Sequence, residues 1–186
     1  MTYKWFQHLE RGSEVAAIFF DFKKAFDTVP HFPLMSKLEK TGLDPHILTW
    51  IHNYLAERQQ KVVINGVSSS SSHVLSGVPQ GSVLGPLLFL IYINDITFLE
   101  LSPGSRLVLY ADDVLLYHPI CNTGDYFTVQ TDIIALSSWA TQNAMTFNLT
   151  MYKTMTISRK RNHHIPTTPL TLNGYTLEEV PAFKHL

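Results

Sequence analysis

The chain has 186 residues, of which 45% are hydrophobic and 16% charged, and its formal net charge is −1 at pH 7. These values exclude an intrinsically disordered chain and allow one domain with a sizeable core. The near-neutral charge is unlike that of a free-standing nucleic-acid-binding domain, which is usually basic. The single cysteine, Cys121, excludes a disulfide partner within the chain.

Neither a targeting segment nor a membrane span is visible in the sequence. The first residues lack the apolar core of a signal peptide. The longest apolar stretch, residues 83–93, is interrupted by glycine and proline and falls short of the roughly 20 residues that cross a bilayer. We therefore expect no membrane partner and an intracellular location, in the cytoplasm, the nucleus or both.

The first half of the chain predicts a buried strand, two helices and a hairpin. Residues 15–21 form an apolar run that ends in an aspartate, which is typical of a buried central strand. A short helix is expected over residues 34–40, and Asp44 followed by proline indicates the start of the next helix. Residues 61–66 combine a β-rich run with Asn-Gly, the strongest two-residue hairpin signal. The second helix carries an apolar stripe formed by Ile47, Trp50, Ile51, Tyr54 and Leu55.

The second half predicts a loop followed by a helix, a hairpin, another helix and a strand. Glycine-rich residues 77–82 predict a loop whose backbone a ligand can approach closely. Residues 86–98 predict a helix, and two strand-like runs follow it with Asp112 and Asp113 in the tight turn between them. The remaining predicted elements are a helix over residues 126–145, a strand over 154–158 and a hairpin from residue 170.

This order of elements predicts an α+β fold, an antiparallel sheet with helices packed on one face. No internal repeat or domain boundary is visible. Asp21 ends one strand of such a sheet, and the turn with Asp112 and Asp113 joins two others. The three carboxylates are therefore expected to meet at one edge of the sheet.

Three carboxylates in one place repel one another unless a cation lies between them. Oxygen ligands suit Mg²⁺, and two such ions held roughly 3.5–4 Å apart by shared carboxylates promote in-line phosphoryl transfer. We therefore expect the carboxylates of Asp21 and Asp112 to lie within about 6 Å and to share Mg²⁺, for which Mn²⁺ can substitute. Taken singly, each aspartate also suits a helix cap or an acidic turn.

Three segments, in this order and spacing, resemble the reverse transcriptases of LINE-type (non-LTR) retrotransposons. Residues 20–29 (FDFKKAFDTV) are similar to the family's first catalytic motif. Residues 76–86 (SGVPQGSVLGP) are similar to its nucleotide-pocket motif, and residues 110–113 (YADD) to its second catalytic motif. The resemblance implies the palm of a right-hand polymerase, an RNA-directed DNA polymerase that uses an RNA template, a DNA primer and dNTPs.

The resemblance also implies roles for the acidic residues. Asp21 and Asp112 would bridge two metal ions, and Asp113 would support the site. The backbone carbonyl of Phe22 would add a further metal ligand. One ion would activate the primer 3′-hydroxyl for attack on the α-phosphate, and the other would stabilise the leaving pyrophosphate.

The nucleotide pocket is assigned in the same way. The ring of Phe26 would lie under the sugar of the incoming nucleotide and would exclude a ribose 2′-hydroxyl, although core packing is the alternative for this ring. Gln80 and Gly81 would contact the nucleotide through a side-chain amide and a bare backbone. Relatives carry a lysine where this chain has Met151, so Lys153 is the candidate substitute beside the pyrophosphate.

Two further departures from the family pattern bear on activity. The family's fingers precede the first motif, and only a short segment precedes it here, so fingers are expected to be mostly missing. Residues 183–186 are similar to the start of the primer-grip motif, and no thumb follows. We therefore expect a partial reverse transcriptase domain over residues 1–186, with little activity in isolation. Its palm core is expected over about residues 15–158, and the start of the primer-grip region over about residues 170–186.

Two other functions stay open on the sequence alone. One is a non-catalytic nucleic-acid-binding or interaction module, a relic of such an element, which the near-neutral charge favours. The other is a metal-dependent phosphohydrolase, since two-metal carboxylate sites also serve nucleases. The pocket motif around Gln80 and the ring of Phe26 argue against a hydrolase, which needs no group that senses the sugar.

Overall fold

The structure, a computed structural model, describes residues 2–161 and 164–182, so the expected primer-grip segment 183–186 lies outside the described residues. The helices are α1 (Thr2–Glu10), α2 (Ala25–Thr28), α3 (His31–Glu39), α4 (Pro45–Leu55), α5 (Leu84–Ile93) and α6 (Asp125–Gln142). The strands are β1 (Glu14–Asp21), β2 (Gln59–Gln60), β3 (Val63–Ile64), β4 (Val67–Ser68), β5 (Ser72–His73), β6 (Arg106–Tyr110), β7 (Asp113–Ile120), β8 (Lys153–Ile157), β9 (Thr171–Leu172), β10 (Tyr175–Thr176) and β11 (Glu178–Glu179). Two 3₁₀ turns cover Asn94–Phe98 and Leu149–Met151.

The chain folds into two compact units. The sheet unit comprises the described parts of Met1–Lys23, Ile96–Gln142 and Thr146–Leu186. The helical unit comprises Lys24–Asp95 and Asn143–Met145. The chain passes between the units several times without a linker, so no boundary could be recognised from composition.

A five-stranded sheet with the strand order β11-β8-β1-β7-β6 is the centre of the sheet unit. Its neighbouring strands are antiparallel except for β11 and β8, which run parallel. The central strand β1 is buried from Glu14 to Phe20 and emerges at Asp21. The predicted α+β class and the central apolar strand are therefore confirmed.

Helices of the sheet unit cover both faces of the sheet, whereas the sequence analysis expected helices on one face. On the face of α6, the hydroxyl of Tyr126 lies 3.4 Å from that of Thr156 in β8. On the other face, Trp5 of α1 meets Tyr117 edge to face, with ring centroids 5.9 Å apart. The physical reason is that both side-chain rows of β1 are apolar, so a strand at the centre of the sheet needs cover on both sides.

A buried polar group joins the sheet to α6. The carboxylate of Asp132 accepts hydrogen bonds from the backbone and hydroxyl of Ser102, each at 2.9 Å, and from the hydroxyl of Ser105. The same Ser105 hydroxyl lies 2.8 Å from Nδ1 of His118. These bonds satisfy the carboxylate, which is 2% exposed, and remove most of the cost of burying it.

The helical unit is held together by packing of α3 against α5 and by one lysine. Lys37 of α3 donates to the carbonyl of Tyr92 and, at 2.7 Å, to the side chain of Asn143. It also forms a 2.9 Å ion pair with Asp95. In α4, Asp44 caps the helix as predicted, with Oδ1 accepting from the amide of His46 at 2.8 Å. None of the described helices is long and apolar enough to cross a membrane.

Parts of the helical unit expose apolar side chains. The predicted stripe of α4 is divided, because Ile51 and Leu55 are buried while Ile47 and Trp50 are about half exposed. The β3–β4 hairpin has the predicted Asn65-Gly66 turn, with both residues at positive φ, as a type I′ turn requires. The exposed apolar residues of this hairpin are Val62, Val63, Ile64 and Val67.

Stability is expected to fall on acidification through His118. Burial lowers the pKa of His118 below its ordinary 6.5, although Asp125 and Asp132 act in the opposite direction. The unfolded chain then takes up a proton near pH 6.5 that the folded chain does not, so stability is present above this pH and is lost below it. We expect the free energy of unfolding, measured by denaturant titration, to decrease from about pH 7 to 5.

The same titration on variants checks the assignment to this residue. His118→Gln should make the decrease shallower, and a small slope should remain because burial also lowers the pKa of His8. His46→Gln, at an exposed position of α4, is the control and should keep the wild-type slope. Equal slopes in wild type and His118→Gln would contradict the prediction.

Candidate active site

The register of β1 and β7 brings two of the three predicted carboxylates together. Asp21, the last residue of β1, is paired with Asp113, the first residue of β7. Asp113 is also paired with Tyr110 across the β6–β7 hairpin, whose two-residue turn is Ala111 and Asp112. Ala111 has a φ of 53°, a left-handed conformation that is uncommon for a residue other than glycine. The tight acidic turn predicted from the sequence is thus present.

The pairing places two negative charges directly opposite one another. Cα atoms of antiparallel partners lie about 4.5–5.5 Å apart, and like charges in such positions destabilise a sheet. Asp21, Asp112 and Asp113 are all partly exposed, so water reaches them and a cation can do so as well. A bound divalent cation would remove the repulsion between Asp21 and Asp113.

The donors fit Mg²⁺ in type, because carboxylate oxygens are the ligands that a hard cation prefers. The described side chains do not form a closed cage, since no group of three or more His, Cys, Asp or Glu among them is arranged to hold a metal ion. The approach of the Asp21 and Asp112 carboxylates to within about 6 Å therefore stays a prediction, as do their roles as ligands.

The backbone carbonyl of Phe22 is directed towards the same region. Phe22 forms an isolated antiparallel bridge with Phe147. The two hydrogen bonds beside this bridge do not involve Phe22: the amide of Lys23 donates to the carbonyl of Thr146, and the amide of Asn148 donates to the carbonyl of Asp21. Phe22 is therefore a non-hydrogen-bonded partner, whose own carbonyl points away from Phe147. That direction is the β7 side, where Asp113 lies.

Two residues near Asp21 were not singled out from the sequence. Asn148 contacts the Asp21 carboxylate, with Nδ2 3.2 Å from Oδ2. Tyr152 is buried, and its hydroxyl has no hydrogen-bond partner among the described residues. Burial, and then the charge of Asp21, raise the pKa of the Tyr152 hydroxyl. The signal that could have found Asn148 is its place three residues before Met151, and no local pattern marks Tyr152.

The candidate lysine of the sheet unit is already paired. Lys153 begins β8 and forms an ion pair with Glu178 of the parallel strand β11. It lies opposite Phe19, two residues before Asp21, and so on the same face of the sheet as Asp21. Met151, where the family resemblance leads us to expect a lysine, is about half exposed in a 3₁₀ turn. A role of Lys153 beside pyrophosphate stays a prediction and would require it to leave Glu178.

In the helical unit, the predicted nucleotide-contacting residues lie close to one another. The ring of Phe26 stacks on that of Phe89, with centroids 4.7 Å apart, and is itself only partly buried. The amide of Val78 donates to the carbonyl of Phe26 at 2.8 Å. Gln80 donates through Nε2 to Oδ1 of Asp27 at 2.9 Å. One face of the Phe26 ring is thus packed against Phe89, as expected if the ring serves only core packing, while part of the ring remains exposed.

The loop that carries Gln80 is anchored by two side chains. The carbonyl of Gly77 accepts from Arg58 and lies 2.9 Å from Nε2 of His31. The amide of Gly77 donates to the carbonyl of Val29 at 2.7 Å. A Cβ at Gly77 would lie 2.7 Å from the backbone of Asp27, whereas a Cβ at Gly81 would meet nothing within 4 Å. Gly77 therefore has a packing reason to be glycine, and Gly81 has an open surface.

Solved structures of telomerase have a similar fold. Apo telomerase from Candida tropicalis, truncated from the C-terminal domain, aligns with a TM-score of 0.62 at 15% identity, over 86% of this chain and 35% of that one. Telomerase from the same organism in complex with a fragment of telomeric RNA also aligns with a TM-score of 0.62, at 14% identity, over 87% of this chain and 30% of that one. The sheet with its acidic hairpin has the fold of a right-hand polymerase palm.

The family follows from sequence comparison. The family model "Reverse transcriptase (RNA-dependent DNA polymerase)" matches residues 4–177, and the chain belongs to this family. It is 31% identical, over 89% of its length, to a probable RNA-directed DNA polymerase from the transposon X-element of Drosophila melanogaster. It is 30% identical, over 96% of its length, to the RNA-directed DNA polymerase from the mobile element jockey of Drosophila funebris. The resemblance to LINE-type reverse transcriptases is confirmed.

The matched relatives are much longer than this chain. It covers 18% of the X-element protein and 20% of the jockey protein. Their names describe whole polymerases, of which this chain spans about a fifth.

The two glycines of the loop give a matched test of the packing. Gly77→Ala should lower the free energy of unfolding by about 3 kcal/mol or more, because the new Cβ meets backbone atoms at an already left-handed φ. Gly81→Ala shares the positive φ but meets open space, so a loss of about 1 kcal/mol is expected. Chemical denaturation measures both values, and equal losses would show that close approach of the backbone does not constrain Gly77.

Proposed function

We propose that this chain is the catalytic palm of an RNA-directed DNA polymerase of a non-LTR retrotransposon, which adds dNTPs to a primer 3′-hydroxyl. The observation that carries the proposal is the register that pairs Asp21 with Asp113 and puts Asp112 in the adjoining turn. Two opposed carboxylates beside a third offer the oxygen ligands that a hard divalent cation prefers.

In this proposal the acidic residues hold the metal ions and the backbone adds a ligand. Asp21 and Asp112 would hold two Mg²⁺ ions, or Mn²⁺ in their place, while Asp113 would support the site and the carbonyl of Phe22 would provide a further oxygen. When bound there, the ions would supply Lewis-acid chemistry, which lowers the pKa of the primer 3′-hydroxyl and stabilises the charge of the leaving pyrophosphate. The protein contributes mainly positioning, because this reaction needs little covalent participation from side chains.

The helical unit supplies recognition of the nucleotide. Phe26 rests on Phe89, so its ring resists displacement by a ribose 2′-hydroxyl and selects dNTPs over rNTPs. Gln80 donates to Asp27, which leaves its Oε1 as an acceptor for a sugar hydroxyl. The RNA template and the DNA primer are the remaining proposed partners.

A chimera tests the proposed activity. The segment of the Drosophila funebris jockey polymerase that matches this chain is replaced by it, and primer extension on an RNA template is measured with Mg²⁺. Asp21→Asn and Asp112→Asn should each lower extension by at least about 100-fold, because each removes a charge that positions the reacting phosphate. Asp44→Asn is the control, since asparagine caps α4 as well as aspartate does and the site is untouched. Extension unaffected by Asp21→Asn or Asp112→Asn would refute the proposal.

The same chimera tests whether Phe26 selects dNTPs over rNTPs. Phe26→Val removes the ring that would meet a 2′-hydroxyl, so ribonucleotide incorporation relative to deoxyribonucleotide should rise by about 10-fold or more. Phe32→Val, on the exposed face of α3, is the matched control and should leave the ratio unchanged. Unchanged selectivity in Phe26→Val would mean that the ring serves only to pack against Phe89.

A further inference from the structure

The chain immediately after Asp21 is fixed by a segment far away in sequence. Residues 146–148 pair with residues 21–23, through the Phe22–Phe147 bridge and two backbone hydrogen bonds of 2.7 and 2.8 Å. The rings of Phe22 and Phe147 stack with centroids 4.6 Å apart, and both are buried. The backbone that carries Asp21 is therefore held on one side by β7 and on the other by this short segment.

The side chain of Asn148 has its orientation set by the turn that follows it. Its Oδ1 accepts from the amide of Thr150 at 3.3 Å and from the Thr150 hydroxyl at 2.9 Å, and so caps the 3₁₀ turn Leu149–Met151. With Oδ1 engaged by two donors, the NH₂ group is the part of the amide that faces Asp21. Its distance to Oδ2 of Asp21 is 3.2 Å.

We infer that Asn148 is a positioning residue that orients the Asp21 carboxylate for metal binding. Its NH₂ group holds Oδ2 of Asp21, which leaves Oδ1 for a cation. Hydrogen bonds to ligating carboxylates fix their orientation and strongly affect metal affinity. Neither the cap nor the backbone bridge requires the bond from Nδ2 to Asp21. The cap uses Oδ1 of Asn148, and the bridge uses its backbone N–H group. The inference rests on the proposed function, since it assigns Asp21 to a metal.

The chain contains a close match for this arrangement away from the candidate site. Asn122 accepts from the amide of Gly124 through Oδ1 at 2.8 Å and donates through Nδ2 to Asp125 at 3.2 Å. Both asparagines accept from the amide two residues on and donate to a carboxylate at 3.2 Å, but Asp125 is at the start of α6 and is not a predicted ligand. Asn122→Ser is therefore a control for the chemical change itself.

The test uses the purified 186-residue chain and measures Mn²⁺ binding by electron paramagnetic resonance of the free ion. Serine caps turns as well as asparagine does but is too short to reach Asp21, so Asn148→Ser keeps the cap and removes the donor. We expect Asn148→Ser to weaken Mn²⁺ binding by about 10-fold, with the unfolding temperature close to that of wild type. Asn122→Ser should leave Mn²⁺ binding unchanged.

A double-variant cycle with Asp21→Asn separates the possible failures. If Asn148 acts through Asp21, Asn148→Ser should cause no further loss of Mn²⁺ binding in the Asp21→Asn background. An unchanged affinity in Asn148→Ser, together with a loss in Asp21→Asn, would overturn the inference and leave the proposed function intact. Mn²⁺ binding that does not respond to Asp21→Asn would overturn the proposed function and the inference with it.

Discussion

The candidate site depends on one constraint, the antiparallel register between β1 and β7. Because side chains alternate along a strand, a slip of one residue would send Asp21 to the opposite face from Asp113 and expose the buried rows of β1. Burial of that strand on both faces therefore determines which residues stand opposite one another. The repulsion between the facing carboxylates arises at one end of a strand that is apolar from Val15 to Phe20.

In the helical unit, backbone hydrogen bonds likewise set the position of the loop that carries Gln80. This glycine-containing loop is bound to α2 and the residue after it, because the amides of Val78 and Gly77 donate to the carbonyls of Phe26 and Val29. Arg58 and His31 contact the carbonyl of Gly77. Since these bonds involve the main chain, the loop's position is set independently of the side chain of Gln80. That side chain is thereby free to vary its contacts without loss of the loop.

The sequence predicted those features that depend on local chain chemistry. The strand ending at Asp21, the cap at Asp44 and the Asn-Gly hairpin follow from preferences that act over a few residues. The contact between Asn148 and Asp21 joins residues 127 positions apart, so it follows from pairing that no local pattern records. The Lys153–Glu178 pair likewise depends on the parallel strand β11. The apolar stripe of α4 is only partly buried, and this could not be predicted either. Periodicity indicates which face of a helix is apolar but not how much of that face a neighbouring element covers.

The β3–β4 hairpin has a consequence for handling the protein in solution. Its strands are only two residues long, and Val63, Ile64 and Val67 within them and Val62 just before β3 are exposed beside outer edges that no other described strand pairs with. β-branched residues at an open edge favour pairing with another chain, and this segment carries neither proline nor an acidic residue to prevent it. Self-association of the purified chain at high concentration is therefore expected to begin at this hairpin, and a charged residue in place of Val63 would suppress it.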